Sequence, residues 1–136
     1  MRRLLALLCL PLCAVTVAAC GSTVSTAGFK GEQHEVAQTI SNLQADATAG
    51  EEKKICADDL AAALVARLGG AKGCEQATKN QLAEVDSLEV TVQSVKVAGG
   101  GTTASAEVKS IYEGKSHPGT VSLVKEGGKW KISGMK

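Results

Sequence analysis

Tyr112 and His117 stand on either side of Glu113-Gly114-Lys115, a stretch that reads as a tight turn. A phenol and an imidazole meeting at a strand end could line a pocket and serve as an acid–base pair. His117 also precedes Pro118-Gly119, which reads as a strand start beside a loop, where an imidazole is usually solvated. His34 falls between Glu32 and Glu35 in what reads as the first turn of a helix, again a solvated setting. Asp58-Asp59 is a carboxylate pair, yet adjacent helical residues point about 100° apart, so a helix cap explains them better. The five cysteines are Cys9, Cys13, Cys20, Cys56 and Cys74, with no CxxC among them. The two histidines lie too far from any cysteine to complete a zinc set, and no metal is expected. GxSxG, HExxH, Walker and EF-hand patterns are missing, and Gly99–Gly101 lacks the following helix that a phosphate cradle requires. No cofactor is expected and no catalytic residue is assigned.

Composition narrows the partner classes. The chain has 136 residues, a formal charge of +1, and only Phe29, Tyr112 and Trp130 as aromatic residues. Without Arg2 and Arg3 the balance turns slightly acidic. There is neither a clustered basic excess to track phosphates nor a set of rings on which bases could stack, so nucleic acid is excluded as an expected partner.

The N-terminus carries an address. Met1-Arg2-Arg3 is followed by an almost wholly apolar run from Leu4 to Ala19, interrupted by Pro11. A helix of that length reaches about 24 Å, short of the ~30 Å hydrocarbon core, so the segment reads as an export signal and not a span. It closes on Val17-Ala18-Ala19-Cys20-Gly21, which resembles the lipobox of bacterial lipoproteins. The resemblance implies cleavage before Cys20 and acylation of its thiol, leaving the protein held by lipid on the extracytoplasmic side of the cell membrane. Two other readings stay open. Val17 and Ala19 also suit an ordinary signal peptidase, and the segment could be retained as a short anchor. An unpaired thiol in an oxidising compartment argues against the first, and the length and Pro11 against the second.

On this reading Cys9 and Cys13 leave with the signal, Cys20 carries lipid, and Cys56 and Cys74 remain as an even pair, which favours a disulfide worth about 3 kcal/mol. Two separate buried thiols are the alternative. The expected organisation is a signal over 1–19, a lipidated cysteine with a flexible tether over 20–31, and one domain over 32–136.

Within that domain the period changes once. Val36, Ile40, Leu43 and Ala47 draw an apolar stripe that Gly50 ends. Cys56, Leu60, Leu64 and Leu68 repeat at i+4 up to Gly69-Gly70, and a third helix is predicted from Gly73 to Glu84 with Cys74, Ala77, Leu82 and Val85 inward. A bridge on this map requires the glycine segment to fold back or the second helix to be shorter. After Asp86 the period is two: Leu88, Val90 and Val92, then Val95 and Val97 in opposite phase, which predicts a bulge near Gln93-Ser94. Turns at Gly99–Gly101, Glu113–Lys115 and Glu126–Gly128 divide the rest into an antiparallel meander of four strands. Trp130 and Ile132 read as core, and Lys125, Lys129 and Lys131 as solvated flanks. The class is α+β, with N-terminal helices packed on a curved four-stranded antiparallel sheet.

This order, the Cys56 and Cys74 pair across a helical hairpin, and the closing Leu123-Val-Lys-Glu-Gly-Gly-Lys-Trp130-Lys-Ile132 resemble the NTF2-like (cystatin-like) superfamily, and within it small exported proteins of actinobacteria. The resemblance implies a cone whose mouth holds a ligand or an active site. Members include isomerases, dehydratases and hydrolases as well as non-catalytic binding modules, and none of their active-site motifs maps onto this chain. The expected function is therefore a lipid-anchored, non-catalytic binding module for a small apolar ligand or another envelope protein. The alternatives are a small lyase or isomerase and an accessory or regulatory domain of an envelope system. The scarcity of aromatic residues tilts the expectation toward a protein partner.

Overall fold

The computed structural model describes residues 24–84 and 89–136. Cys20, Val85 and Leu88 lie outside the described residues. The element order is α1 (Glu32–Ala49), α2 (Glu52–Lys54) running into a π-helical turn (Ile55–Asp59), α3 (Ala62–Arg67), α4 (Gly70–Ala83), then β1 (Glu89–Val97), β2 (Thr103–Tyr112), β3 (Lys115–Glu126) and β4 (Lys129–Met135). The strands pair antiparallel in the order β1-β2-β3-β4, the meander that the turn spacing predicts.

The stripe on α1 buries Val36, Ala37 and Ile40, and Gly50 closes the helix in the left-handed conformation, its N–H bonding to the carbonyls of Ala47 and Asp46. The inner face of the sheet supplies Val92, Val95, Ala106, Val108, Val121, Leu123, Trp130 and Ile132 to the same core. Gln93 is the extra residue between Val92 and Ser94, so the inward set keeps facing the helices after the phase change, and the strand bends there. Trp130 keeps its ring buried by donating its indole N–H to Glu32 Oε2 at 2.7 Å. Lys125 closes the same cluster, 2.6 Å from Glu32 Oε1 and 5.4 Å above the indole ring. Those two hydrogen bonds, to Lys125 first and Trp130 second, hold the Glu32 carboxyl below the usual range.

Several expectations need correction. The single helix over Cys56–Leu68 is broken. The π-helical turn ends with Leu60 N–H on the Ile55 carbonyl, the backbone turns extended, and Leu60 forms a parallel bridge to Ile132, with Ala61 N–H donating to the Ile132 carbonyl at 2.8 Å. Covering the β4 edge outweighs helix continuity at that point, and Leu68 is consequently left exposed. Neither Asp58 nor Asp59 caps a helix: α3 starts at Ala62, its N-cap Ala61 gives no side-chain cap, and the Glu126 carboxylate accepts the Ala62 N–H instead. The segment expected to be a flexible tether is docked from Val24 onward. Val24 is 5% exposed in the core, Phe29 packs against it, and Phe29 N–H bonds the Thr26 carbonyl. Finally, Lys125 and Lys131 are engaged, the latter with the carbonyls of Ala57 and Asp58.

The third helix begins earlier than predicted, at Gly70, and Gly69 and Gly70 both take positive φ to reverse the chain directly after α3. Gly73 then crosses the end of α3 so closely that a Cβ would stand 2.1 Å from the Leu68 carbonyl oxygen. This shortened hairpin brings Cys56 and Cys74 together in a disulfide with Cα atoms 6.0 Å apart. β3 starts at Lys115, before the expected position. Pro118 is tolerated because that part of β3 pairs with β2, while the β4 pairing begins only at Val121.

Candidate functional site

Among the described residues, two of the concavities beside α1 contrast in chemistry. The first is a cavity of about 560 Å³ between α1, the π-helical turn, α3, α4 and the end of β4. Its walls are aliphatic: Leu43, Ile55, Leu60, Leu64 and Leu82. The exposed lining residues Leu68, Gln81, Glu84 and Met135 form its rim. The broken helix creates this space. Had Cys56–Leu68 continued straight, Leu60 and Leu64 would share one stripe; the extended step at Leu60–Ala61 sets α3 off as a separate wall. The disulfide fastens the opposite walls, tying the π-helical turn to α4. Thr78 Oγ1 approaches Cys56 Sγ at 3.8 Å on the α4 side. The volume lies in the range of small-molecule sites, and the lining is mainly apolar, as such sites are.

The second concavity is a polar groove of about 750 Å³ between the outer face of α1, the π-helical turn and the start of β4. At its floor Asp46 and Asp59 are 6% and 4% exposed. Lys54 Nζ lies 2.7 Å from Asp46 Oδ1 and 3.4 Å from Glu51, which raises the lysine above its ordinary value through the Asp46 hydrogen bond first. Burial, followed by the adjacent Asp46 carboxylate and its hydrogen bond, pushes Asp59 up to about 7. Asp59 Oδ2 has no hydrogen-bond partner among the described residues.

Sequence reasoning weighed Asp59 against its neighbour Asp58, whereas its partner is Asp46 on the preceding helix. The usable signal was helical phase. Asp46 follows Leu43 by three residues and precedes Ala47, so it borders the apolar stripe.

Tyr112 and His117 do meet. Their rings stack at 3.9 Å between centroids with 13° between planes, across the β2–β3 hairpin. They are stacked and not hydrogen-bonded to each other, and neither lines the cavity or the groove. Tyr112 is 37% exposed. Among the described residues no group of three or more His, Cys, Asp or Glu is placed to hold a metal ion.

No protein-family model matches the chain, and no curated protein matches it. Solved structures share its fold. A SEC-C motif protein from Rhodopseudomonas palustris aligns with TM-score 0.58 at 16% identity, over 72% of this chain and 74% of that one. A designed NTF2-like protein aligns with TM-score 0.55 at 20% identity, over 75% and 96%. The intermembrane-space region of the chloroplast protein ARC6 aligns with TM-score 0.54 at 12% identity, over 79% and 97%. At these identities the likeness establishes the architecture: an α+β, NTF2-like fold with a curved four-stranded sheet.

Proposed function

We propose that this protein is a lipid-anchored, extracytoplasmic binding module whose NTF2-like cone holds a small apolar molecule. The observation that carries the binding reading is the aliphatic cavity of about 560 Å³ with an open rim. Its occupant needs no aromatic walls, so the scarcity of rings in the sequence does not count against a small ligand. The outer face of the sheet offers little to a protein partner: Glu107 and Lys109 are exposed along β2, and Ile111 is the exposed large apolar residue there. Glu84 is the sole ionisable side chain among the described lining residues. That supports holding a molecule over transforming it. The anchor rests on the Val17–Gly21 pattern.

Nile red, a neutral apolar dye, tests the cavity. Its fluorescence should rise on binding, and Ala77→Phe, which fills the space between α4 and α3, should abolish the rise while the thermal melt is retained. A dye response unchanged in Ala77→Phe would place the apolar site elsewhere and refute the reading.

A further inference from the structure

Resting on the cavity reading, we infer that the ligand is a single-chain amphiphile whose head is cationic, a primary ammonium in its simplest form, and not a fatty acid. The argument is one of charge and polarity at the rim. The interior offers only aliphatic contacts, which suit an alkyl tail but cannot choose among heads. Selection therefore falls to α4, where Gln81 and Glu84 follow one another at i+3 and reach the rim together. Across from them the exposed rim residues are Leu68 and Met135, which are apolar. The described lining contains no lysine, arginine or histidine. A carboxylate or phosphate head seated there would meet the Glu84 carboxylate with no cation among the described lining residues; the Arg67 guanidinium, outside that lining, is taken up by the Ser133 carbonyl at 2.9 Å. An ammonium head would find the Glu84 carboxylate and the Gln81 carbonyl oxygen as acceptors. The disulfide holds α4 against the opposite wall, so the head-binding pair keeps its place relative to the tail-binding leucines.

The test compares dodecylammonium, dodecanol and dodecanoate below their aggregation limits, by calorimetric titration into residues 20–136 carrying Cys20→Ser. Dodecylammonium should bind about tenfold more tightly than dodecanoate, attraction in one case and repulsion in the other each contributing as an exposed pair does. Dodecanol should fall between. Glu84→Gln, on the solvated rim, should collapse the difference without loss of the folded state. Equal or tighter binding of dodecanoate, or a preference that survives Glu84→Gln, would overturn the inference while leaving the cavity as the tail site. Absence of binding by all three, or binding unaffected by both Ala77→Phe and Leu64→Phe, would overturn the cavity reading and this inference with it.

Discussion

Asp59 is the residue whose environment departs furthest from its sequence neighbourhood. In the unfolded chain its carboxyl titrates near 3.8; in the fold it titrates near 7, because it is buried beside Asp46. The folded state therefore binds the proton more tightly. This group's contribution to stability is fully present below about 4 and is lost as pH rises through about 7. Asp59→Asn keeps a donor for Asp46 and removes the second charge. It should flatten that part of the stability–pH curve and stabilise the protein at pH 8 by about 1 kcal/mol, measured by urea unfolding. A slope left unchanged in the variant would contradict the raised Asp59 carboxyl. Glu32 behaves oppositely: its lowered carboxyl adds stability above its ordinary titration range, and acid removes it. Side-chain pairings of this kind were hard to read because they join residues far apart in the chain, as Glu32 with Trp130 and Lys125. The Tyr112–His117 pair was legible because a hairpin brings its members together locally.

At the scale of elements, the strands were more legible than the helices. Alternation and turn glycines located all four strands, and the phase change at Gln93 located the bulge, because a two-residue period leaves little freedom. The i+4 repeat from Cys56 to Leu68 misled, since the same leucines serve a broken helix whose middle pairs with β4. That break makes the cavity, and two devices hold it. The disulfide is one; reducing it should free two thiols, destabilise the domain by about 2–4 kcal/mol in a thermal melt, and weaken Nile red binding. Unaltered melting after confirmed reduction would show that the bridge does not brace the wall. Gly73 is the other. Gly73→Ala forces a Cβ against the Leu68 carbonyl and should cost about 1–3 kcal/mol by urea unfolding. A neutral effect would mean that the α3–α4 crossing is looser than its geometry.

For the whole molecule, α1 is bonded to the sheet at both ends. The start of α1 is fixed over one end of the sheet by Gln33 to the Val95 carbonyl and by Glu32 to Lys125 and Trp130. Its later turns lie at the other end, where Gln44 accepts the Val90 N–H and Leu43 and Ala47 line the cavity with Met135. Val24 is already in the core, and His34 Nδ1 lies 3.4 Å from the Thr26 carbonyl, so the incoming chain docks at the α1 start. Cys20→Ser should end the incorporation of labelled palmitate into the protein in growing cells; labelling that persists in the variant would remove the anchor from this account. The central claim, an occupied cone, is tested most directly by native mass spectrometry of residues 20–136 carrying Cys20→Ser, exported by its own producer behind a cleavable signal and purified without detergent. The account predicts a bound mass that disappears on organic extraction and is missing from Ala77→Phe. A mass equal to the bare chain, before any extraction, would contradict it.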